Sequence, residues 1–218
     1  NVGFRTFIAQ FEFMLGDTLL PKRIPIGLVE VIEKAPRARF TEFWDTWYRP
    51  EKLTVVAVGD FDPAAAEQQI VAMFSPLTAR APAAPEPAIG TVPSFTGVRT
   101  YFHAEPESPA TNVSLTALTP YVDRPDTAAN RLKDLPRSIA LAMLNRRFSE
   151  LVKKEGAPFS AASASVSDGF RFMRQADVSL TCKPGQWTEA LAVGEQELRR
   201  ALEHGFQPGE LKEIVATY

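Results

Sequence analysis

The feature that most limits how this 218-residue chain can fold is a proline-rich break near its centre. The composition shifts between Pro76 and Gly97. Within that window, Ala79-Arg80-Ala81-Pro82-Ala83-Ala84-Pro85-Glu86-Pro87 has no helical or strand period. Each proline removes a backbone donor and fixes φ, so the stretch is expected to be an extended, semi-rigid connector. The boundaries drawn from it are residues 1–76, a connector at 77–97, and residues 98–218. No short-period repeat is present on either side.

The first part has clear helix punctuation. Phe4, Phe7, Ile8, Phe11 and Leu15 share one face of an expected helix over 4–15. Leu20 to Gly27 is a loop marked by Pro21, Pro25 and Gly27. Pro36 can open a helix that Arg49-Pro50 ends, with Phe40, Phe43, Trp44, Trp47 and Tyr48 on one wide aromatic face. Such a stripe is expected to pack on a sheet, because it supplies large apolar area. Thr54 to Val58 reads as a buried strand ended by Gly59-Asp60. Asp62-Pro63 then reads as an N-cap and N1 pair before a helix carrying Ala66, Ile70, Met73 and Phe74 on one side.

The second part opens with strand-like runs at Val98–Phe102 and Asn112–Leu118. Helical signals run from Thr127 to Val152, and Pro136 should start a new helix or kink one. Phe159–Ser167 and Phe170–Lys183 flank Asp168-Gly169, a hairpin signal because the favoured turn needs φ > 0. Gln186 to His204 is helical, and Pro208 starts a last helix. Strands beside strands, with helices clustered between, give an α+β fold with a mostly antiparallel sheet.

Composition excludes several functions. The 24 Lys+Arg against 26 Asp+Glu leave a net charge of −2, which gives no footprint for nucleic acid as the main partner. No run approaches the ~20 apolar residues of a membrane span. One cysteine, Cys182, can make neither an internal disulfide nor a thiolate zinc site. On its apolar strand face it reads as a buried, inert thiol. The first residue is Asn1 rather than Met, and the sequence stops after Tyr218 with no helix-stop signal, so it reads as a fragment of a longer polypeptide.

No catalytic constellation is visible in the residues themselves. His103 precedes Glu105 and Glu107, but Pro106 bars the helix that would stack ligands at i and i+4, so it reads as a surface residue. His204, before Gly205, fits the C-terminus of a helix. Ser160, Ser163, Ser165 and Ser167 are expected on one sheet face, polar and solvated or substrate-facing, and no Gly-x-Ser-x-Gly elbow accompanies them. Asp60 and Asp62 lack the rest of a calcium loop. Local chemistry alone describes two α+β units joined by a Pro-rich connector, with a binding or scaffold role.

Three ordered blocks carry a resemblance to a known family. They are Arg23-Ile24-Pro25-Ile26-Gly27, Phe43-Trp44-Asp45-Thr46-Trp47-Tyr48-Arg49-Pro50, and Leu53-Thr54-Val55-Val56-Ala57-Val58-Gly59-Asp60. They resemble an R-x-P-I-G loop, a helix ending in W-Y-R-P and a strand ending in V-G-D in the pitrilysin/insulinase family of zinc metallopeptidases, which includes the mitochondrial processing peptidase. Met143-Leu144-Asn145-Arg146-Arg147-Phe148, Pro158-Phe159-Ser160-Ala161-Ala162 and Lys183-Pro184-Gly185 resemble the following repeat in large bacterial members. The likeness covers nearly the whole chain and is firmest over residues 20–75.

The resemblance implies two homologous-type α+β units, both truncated. Residues 1–76 would be the C-terminal part of a first family domain, and 98–218 the following domain. It also implies a parent that is a zinc-dependent metalloendopeptidase, closing a chamber around peptides or unfolded segments. In the family an H-x-x-E-H helix and a downstream Glu hold zinc, which polarises the scissile carbonyl and activates water. This sequence contains no H-x-x-E-H, and Gln10-Phe11-Glu12-Phe13 does not match the segment of the third ligand. No residue is therefore assigned as catalytic or metal-binding, and substrate-binding residues are left open. Zinc is expected in the parent and no cofactor in this chain. The expected partners are a peptide or unfolded protein substrate, held by β-augmentation at a sheet edge, and other domains of the same polypeptide. The Arg23–Gly27 loop is expected to be structural, with a role in lining the chamber as the alternative. Two other functions stand beside the leading one: an inactive partner or scaffold subunit of such a peptidase, and a stand-alone α+β interaction module. Large bacterial members are often exported, which points to the periplasm, with the cytoplasm as the alternative.

Overall fold

The computed structural model describes residues 1–217. It is α+β: a three-stranded antiparallel sheet and, among the described residues, seven α-helices. The chain divides into two compact units, Lys22–Ile89 and a second one made of Asn1–Pro21 together with the chain from Gly90 onward.

In the second unit, α1 (Val2–Leu15) is capped by the Asn1 side chain, which accepts from the Phe4 N–H. It buries Phe11 and Leu15 from the expected face. The sheet consists of β1 (Thr111–Pro120), β2 (Phe159–Gly169) and β3 (Met173–Cys182), in the order β1-β3-β2. The long helix α5 (Ala128–Val152) runs through Pro136 as one element. It is followed by α6 (Trp187–His204) and α7 (Pro208–Val215).

Register explains which sheet face is buried. Val113, Leu115 and Ala117 of β1 lie opposite Leu180, Val178 and Ala176 of β3. Those β3 residues lie opposite Ala162, Ala164 and Val166 of β2. This face meets α5 and α6 in a core of Leu144, Phe148, Phe159, Ala164, Val178, Leu180, Cys182 and Ala190. Alternation along a strand sends the other residues outward. A bulge between Phe159 and Ala161 adds one residue to β2, so Ser160 is exposed alongside Ser163, Ser165 and Ser167. At Gly194 of α6 a Cβ would come within 2.8 Å of Leu180 Cδ1, so helix and sheet approach closely only because no side chain intervenes.

The hairpin forms, but its turn is not Asp168-Gly169. Those residues pair with Arg174 and Met173 inside the ladder. The Asp168 carboxylate accepts from Arg174 Nε and Nη2 at 2.6 and 2.9 Å, a cross-strand pair that fixes this register. The turn is Gly169–Phe172, closed by the Phe172 N–H donating to the Gly169 carbonyl at 3.0 Å. Its central residues, Phe170 and Arg171, have φ of +55° and +50°. Phe170 is held there by its ring against Phe11, 5.5 Å between centroids.

The unit Lys22–Ile89 contains α2 (Val29–Lys34), α3 (Arg37–Trp47) and α4 (Pro63–Phe74). It has no strand, and no residue in it is buried. Two expectations are corrected here. Thr54–Val58 is not a buried strand: it is irregular, and Val58 is 92% exposed. An apolar extended segment needs a neighbouring strand for its backbone groups, and none pairs with it. The aromatic face of α3 packs on no sheet. Its rings stack along the helix instead, Trp44 on Tyr48 at 3.9 Å and Phe43 near Trp47 at 6.5 Å. Two homologous sheet-bearing units are therefore not observed.

Other punctuation in this unit forms as expected. Asp62 caps α4 by accepting from the Ala64 N–H at 2.9 Å. Gly27, at φ +75°, closes a turn by donating to the Ile24 carbonyl at 3.0 Å. The Ala/Pro-rich stretch is extended, but it is tied to its own unit rather than free. Arg49 donates to the Ala81 carbonyl at 2.5 Å, Arg80 lies 3.6 Å from Asp45, and Lys52 pairs with Glu86. In the other unit Val98–Phe102, the second expected strand, is likewise irregular, and Val98 and Phe102 are exposed.

Candidate functional site at an open sheet edge

A three-stranded sheet has two edges, and in this fold they differ. The β2 edge is plugged. From α5, the Asn145 carboxamide accepts from the Ala164 N–H at 2.7 Å and donates to the Ala164 carbonyl at 2.9 Å. One side chain thus imitates a neighbouring strand at the middle of β2 and occupies the groups that an added chain would need.

Among the described residues the β1 edge has no such plug. Tyr121, just past β1, donates its N–H to Phe172 on the β3 side. In an antiparallel ladder the direction of N–H and C=O alternates by residue. By that alternation Asn112, Ser114, Thr116 and Leu118 turn their backbone groups away from β3. Beside them lies a groove of about 2,320 Å³ that the whole of β1 lines. Its apolar floor includes Leu141 and Leu144 of α5 and Leu191, Leu198 and Leu202 of α6. Trp187 and Leu202 are exposed there, so α6 offers apolar surface beyond the last strand.

The outward sheet face is polar. The Thr116 hydroxyl donates to Asp177 at 2.6 Å, Gln175 Nε2 donates to the same carboxylate at 2.7 Å, and Thr181 donates to Asn112 at 2.9 Å. With the serines of β2 this makes a hydroxyl-rich surface. An edge with an apolar floor on one side and hydroxyls on the other is suited to an extended chain whose apolar and polar residues alternate.

The residues singled out from sequence do not gather into a catalytic centre. His103 Nε2 lies 3.1 Å from Glu105, whose carboxyl Arg5 holds below the ordinary carboxylate range. His204 ends α6 before Gly205, as expected. Cys182 is buried, its thiol directed at the Leu180 carbonyl, and burial pushes its pKa up. Glu12 and Asp60 are exposed, and Asp62 is the helix cap already described. Among the described residues no three His, Cys, Asp or Glu side chains gather as a metal site. They therefore do not supply the ligand set that zinc requires.

Two side chains that sequence reasoning did not assign have large roles. Asn145 is one: an asparagine inside a helix between core positions is the available signal. The other is Arg147, which joins α5 to α6 and α7. It donates to Glu210 at 2.5 and 2.8 Å, to Glu197 at 3.1 Å and to the Gly205 carbonyl at 3.0 Å, and it lies 4.6 Å over the Phe206 ring. Its hydrogen bonds hold Glu210 down to about 2.

Comparison with known proteins sets this geometry in context. A family profile described as "Peptidase M16 inactive domain" matches residues 34–218. "Zinc protease PQQL-like" of Arabidopsis thaliana is 26% identical over 158 residues, 72% of this chain and 16% of that protein. "Probable zinc protease PqqL" of Escherichia coli K12 is 24% identical over 225 residues, 100% of this chain and 23% of that protein. The chain thus spans less than a quarter of the length of either relative. The crystal structure of the first half of the periplasmic protease PqqL from Escherichia coli matches with a TM-score of 0.82 at 23% identity, over 100% of this chain and 46% of that one. At that identity the likeness is one of fold.

Proposed function

The chain belongs to the peptidase M16 inactive-domain family, and from that premise we propose that it is a non-metal-binding portion of a zinc metalloendopeptidase, with a groove at β1 that holds an extended stretch of peptide substrate. The observation that carries this reading is the asymmetry of the sheet: β2 is plugged by Asn145 and β1 lies open over an apolar floor. Backbone pairing at such an edge reads conformation more than sequence, which suits a peptidase acting on varied peptides.

Zinc chemistry in this reading belongs to other parts of the parent polypeptide. In this reading residues 1–76 are the C-terminal part of one family domain and 98–218 belong to the next, joined through 77–97, with α1 of the first part packing in the sheet-bearing unit. The absence of any buried residue between Lys22 and Ile89 supports this, because that unit needs a covering layer from elsewhere. A periplasmic location follows the related protease named above as periplasmic.

The test is a titration of the 218-residue chain with a fluorescein-labelled peptide of alternating valine and threonine flanked by glutamates. Saturable binding is expected. Ser114→Pro, which removes one edge donor where an edge strand tolerates proline, should weaken it at least tenfold. Equal binding by both forms, or none by either, overturns the groove as a peptide site. A parent reading frame without H-x-x-E-H and its downstream Glu would leave a scaffold subunit instead.

A further inference from the structure

The groove beside β1 ends near the β2–β3 hairpin in a cluster where arginines outnumber aspartates. Arg124 donates to both oxygens of Asp134 at 2.7 and 2.5 Å, and Arg174 donates to both oxygens of Asp168 at 2.6 and 2.9 Å. These hydrogen bonds hold the two carboxyls below the ordinary carboxylate range, and the nearby charge of Arg137 acts on both in the same direction. The neighbouring pairs Arg171–Asp123 and Arg131–Asp126 balance themselves. Arg137 of α5 is the third cation beside Asp134 and Asp168. Its Nη2 lies 3.0 Å from Asp134 Oδ1, the oxygen that Arg124 already uses. Among the described residues no aligned hydrogen bond engages its guanidinium. Two matched pairs thus leave the charge of one arginine uncompensated.

That arginine faces open space. Arg137 lines the groove together with Ala140 of α5 and with Ala117, Ala176 and Val166 of the sheet. The three sheet residues are cross-strand neighbours on the inward face. Farther along that face α5 and α6 close the core, whereas Ala117 is exposed and Arg137 is half-buried. Small side chains leave room beside the guanidinium, whose planar fork presents paired donors that match a carboxylate. Against alanine and valine, partly shielded from water, such a pair is stronger than on an open surface. The other charged side chains of the groove are placed differently. Arg99 lies 4.8 Å over the Phe13 ring, His103 and Glu105 pair with each other, Asp177 accepts from Thr116 and Gln175, and Lys183 is exposed just past Cys182.

We propose that the Arg137 end of the groove is a carboxylate subsite, which selects peptides carrying an acidic side chain or a free C-terminus at that end. The subsite rests on reading the groove as a peptide site, and it narrows the class of peptide held there. A third carboxylate would bring the cluster to charge balance and would take the donors of Arg137 that Asp134 leaves unused.

Three peptides titrated into the 218-residue chain test it. All share an alternating valine–threonine body and carry fluorescein on an N-terminal polyethylene glycol linker. The first ends in glutamate with an amidated C-terminus, the second in glutamine with a free carboxylate, and the third in glutamine with an amide. At least one of the two carboxylate peptides should bind about tenfold more tightly than the neutral one, and which of them does so names the source of the carboxylate. Arg137→Gln should erase that preference while binding the neutral peptide as the wild type does, which also shows the variant to be folded. Arg171→Gln, the same change of charge at a residue that does not line the groove, should keep the preference. If Arg137→Gln loses the neutral peptide as well, Arg137→Lys replaces it. That variant keeps the charge without the fork and should lower the preference. Equal binding of all three peptides by the wild type removes the subsite and keeps the groove as a peptide site. Binding of none removes the peptide reading and the subsite with it. An equal loss of preference in Arg137→Gln and Arg171→Gln, or undiminished preference in Arg137→Lys, overturns the assignment to Arg137.

Discussion

The unit Lys22–Ile89 and the sheet-bearing unit are built from similar sequence material with opposite results. In the sheet-bearing unit β3 carries Val178, Leu180 and Cys182 into a core closed by α5 and α6. In the other, Leu53–Val58 is at least as strand-like, α3 and α4 flank it in sequence, and nothing there is buried. The difference is pairing. β3 has a neighbour on each side, so all its backbone groups are satisfied and its inward residues find a floor. Leu53–Val58 has no neighbouring strand, so neither its amides nor its valines gain from leaving water. Apolar content makes a strand available, and a partner makes it form.

Paired substitutions can break that comparison. The largest effect is expected at Phe148, fully buried in the sheet-bearing core. Phe148→Ala should cost about 4 kcal/mol in urea unfolding of that unit. Trp44→Ala, on the exposed face of α3, should cost less than about 1 kcal/mol. Similar costs at the two positions would mean that the aromatic face of α3 is buried in solution.

Arg147 comes next. Arg147→Ala leaves Glu197 and Glu210 without their shared partner, and a loss of about 3 kcal/mol is expected by thermal unfolding. Arg49→Ala, which frees only one carbonyl and an exposed glutamate in the other unit, should lose about 1 kcal/mol. The Arg147 node also sets a pH dependence. Glu210 lies near 2 in the fold against 4.5 ordinarily, so it binds its proton more readily when unfolded. Its contribution is complete above pH 4.5 and is lost as pH falls from there towards 2. In Arg147→Ala that part of the acid-unfolding curve should flatten.

Smaller effects sharpen the contrast between the two sheet edges. Asn145→Ala should cost about 1–2 kcal/mol by stranding the Ala164 N–H and carbonyl. It should also make the chain associate with rising concentration in sedimentation velocity, because a second edge opens. Gly194→Ala should cost about 1 kcal/mol, through the contact its methyl would make with Leu180. No association is expected from Gly194→Ala, which makes it the control.

Much of the fold was legible in residues alone. The inward face of α1, the cap at Asp62, the Gly27 turn, the hairpin and the inward face of β3 follow from spacing and turn chemistry, whereas the expected apolar faces of α3 and α4 bury nothing. The placement of the hairpin turn was not, because Asp168-Gly169 suits a tight turn and also suits the end of a strand. The Asp168–Arg174 pair and the packing of Phe170 on Phe11 decided between them. Of the candidate site, the sequence supplied an expected edge without saying which one. Asn145 is ordinary in a sequence and becomes a plug only where α5 lies against β2.

Local chemistry, then, determined which segments were able to be helix or strand, that Cys182 would be buried, and that no zinc motif lies in this chain. Tertiary structure decided which strand-like segments were strands and which edge stayed open. Secondary preference is a property of neighbours within a few residues. A β-strand is completed by backbone groups far away in sequence, and no pattern within the strand specifies whether they are there.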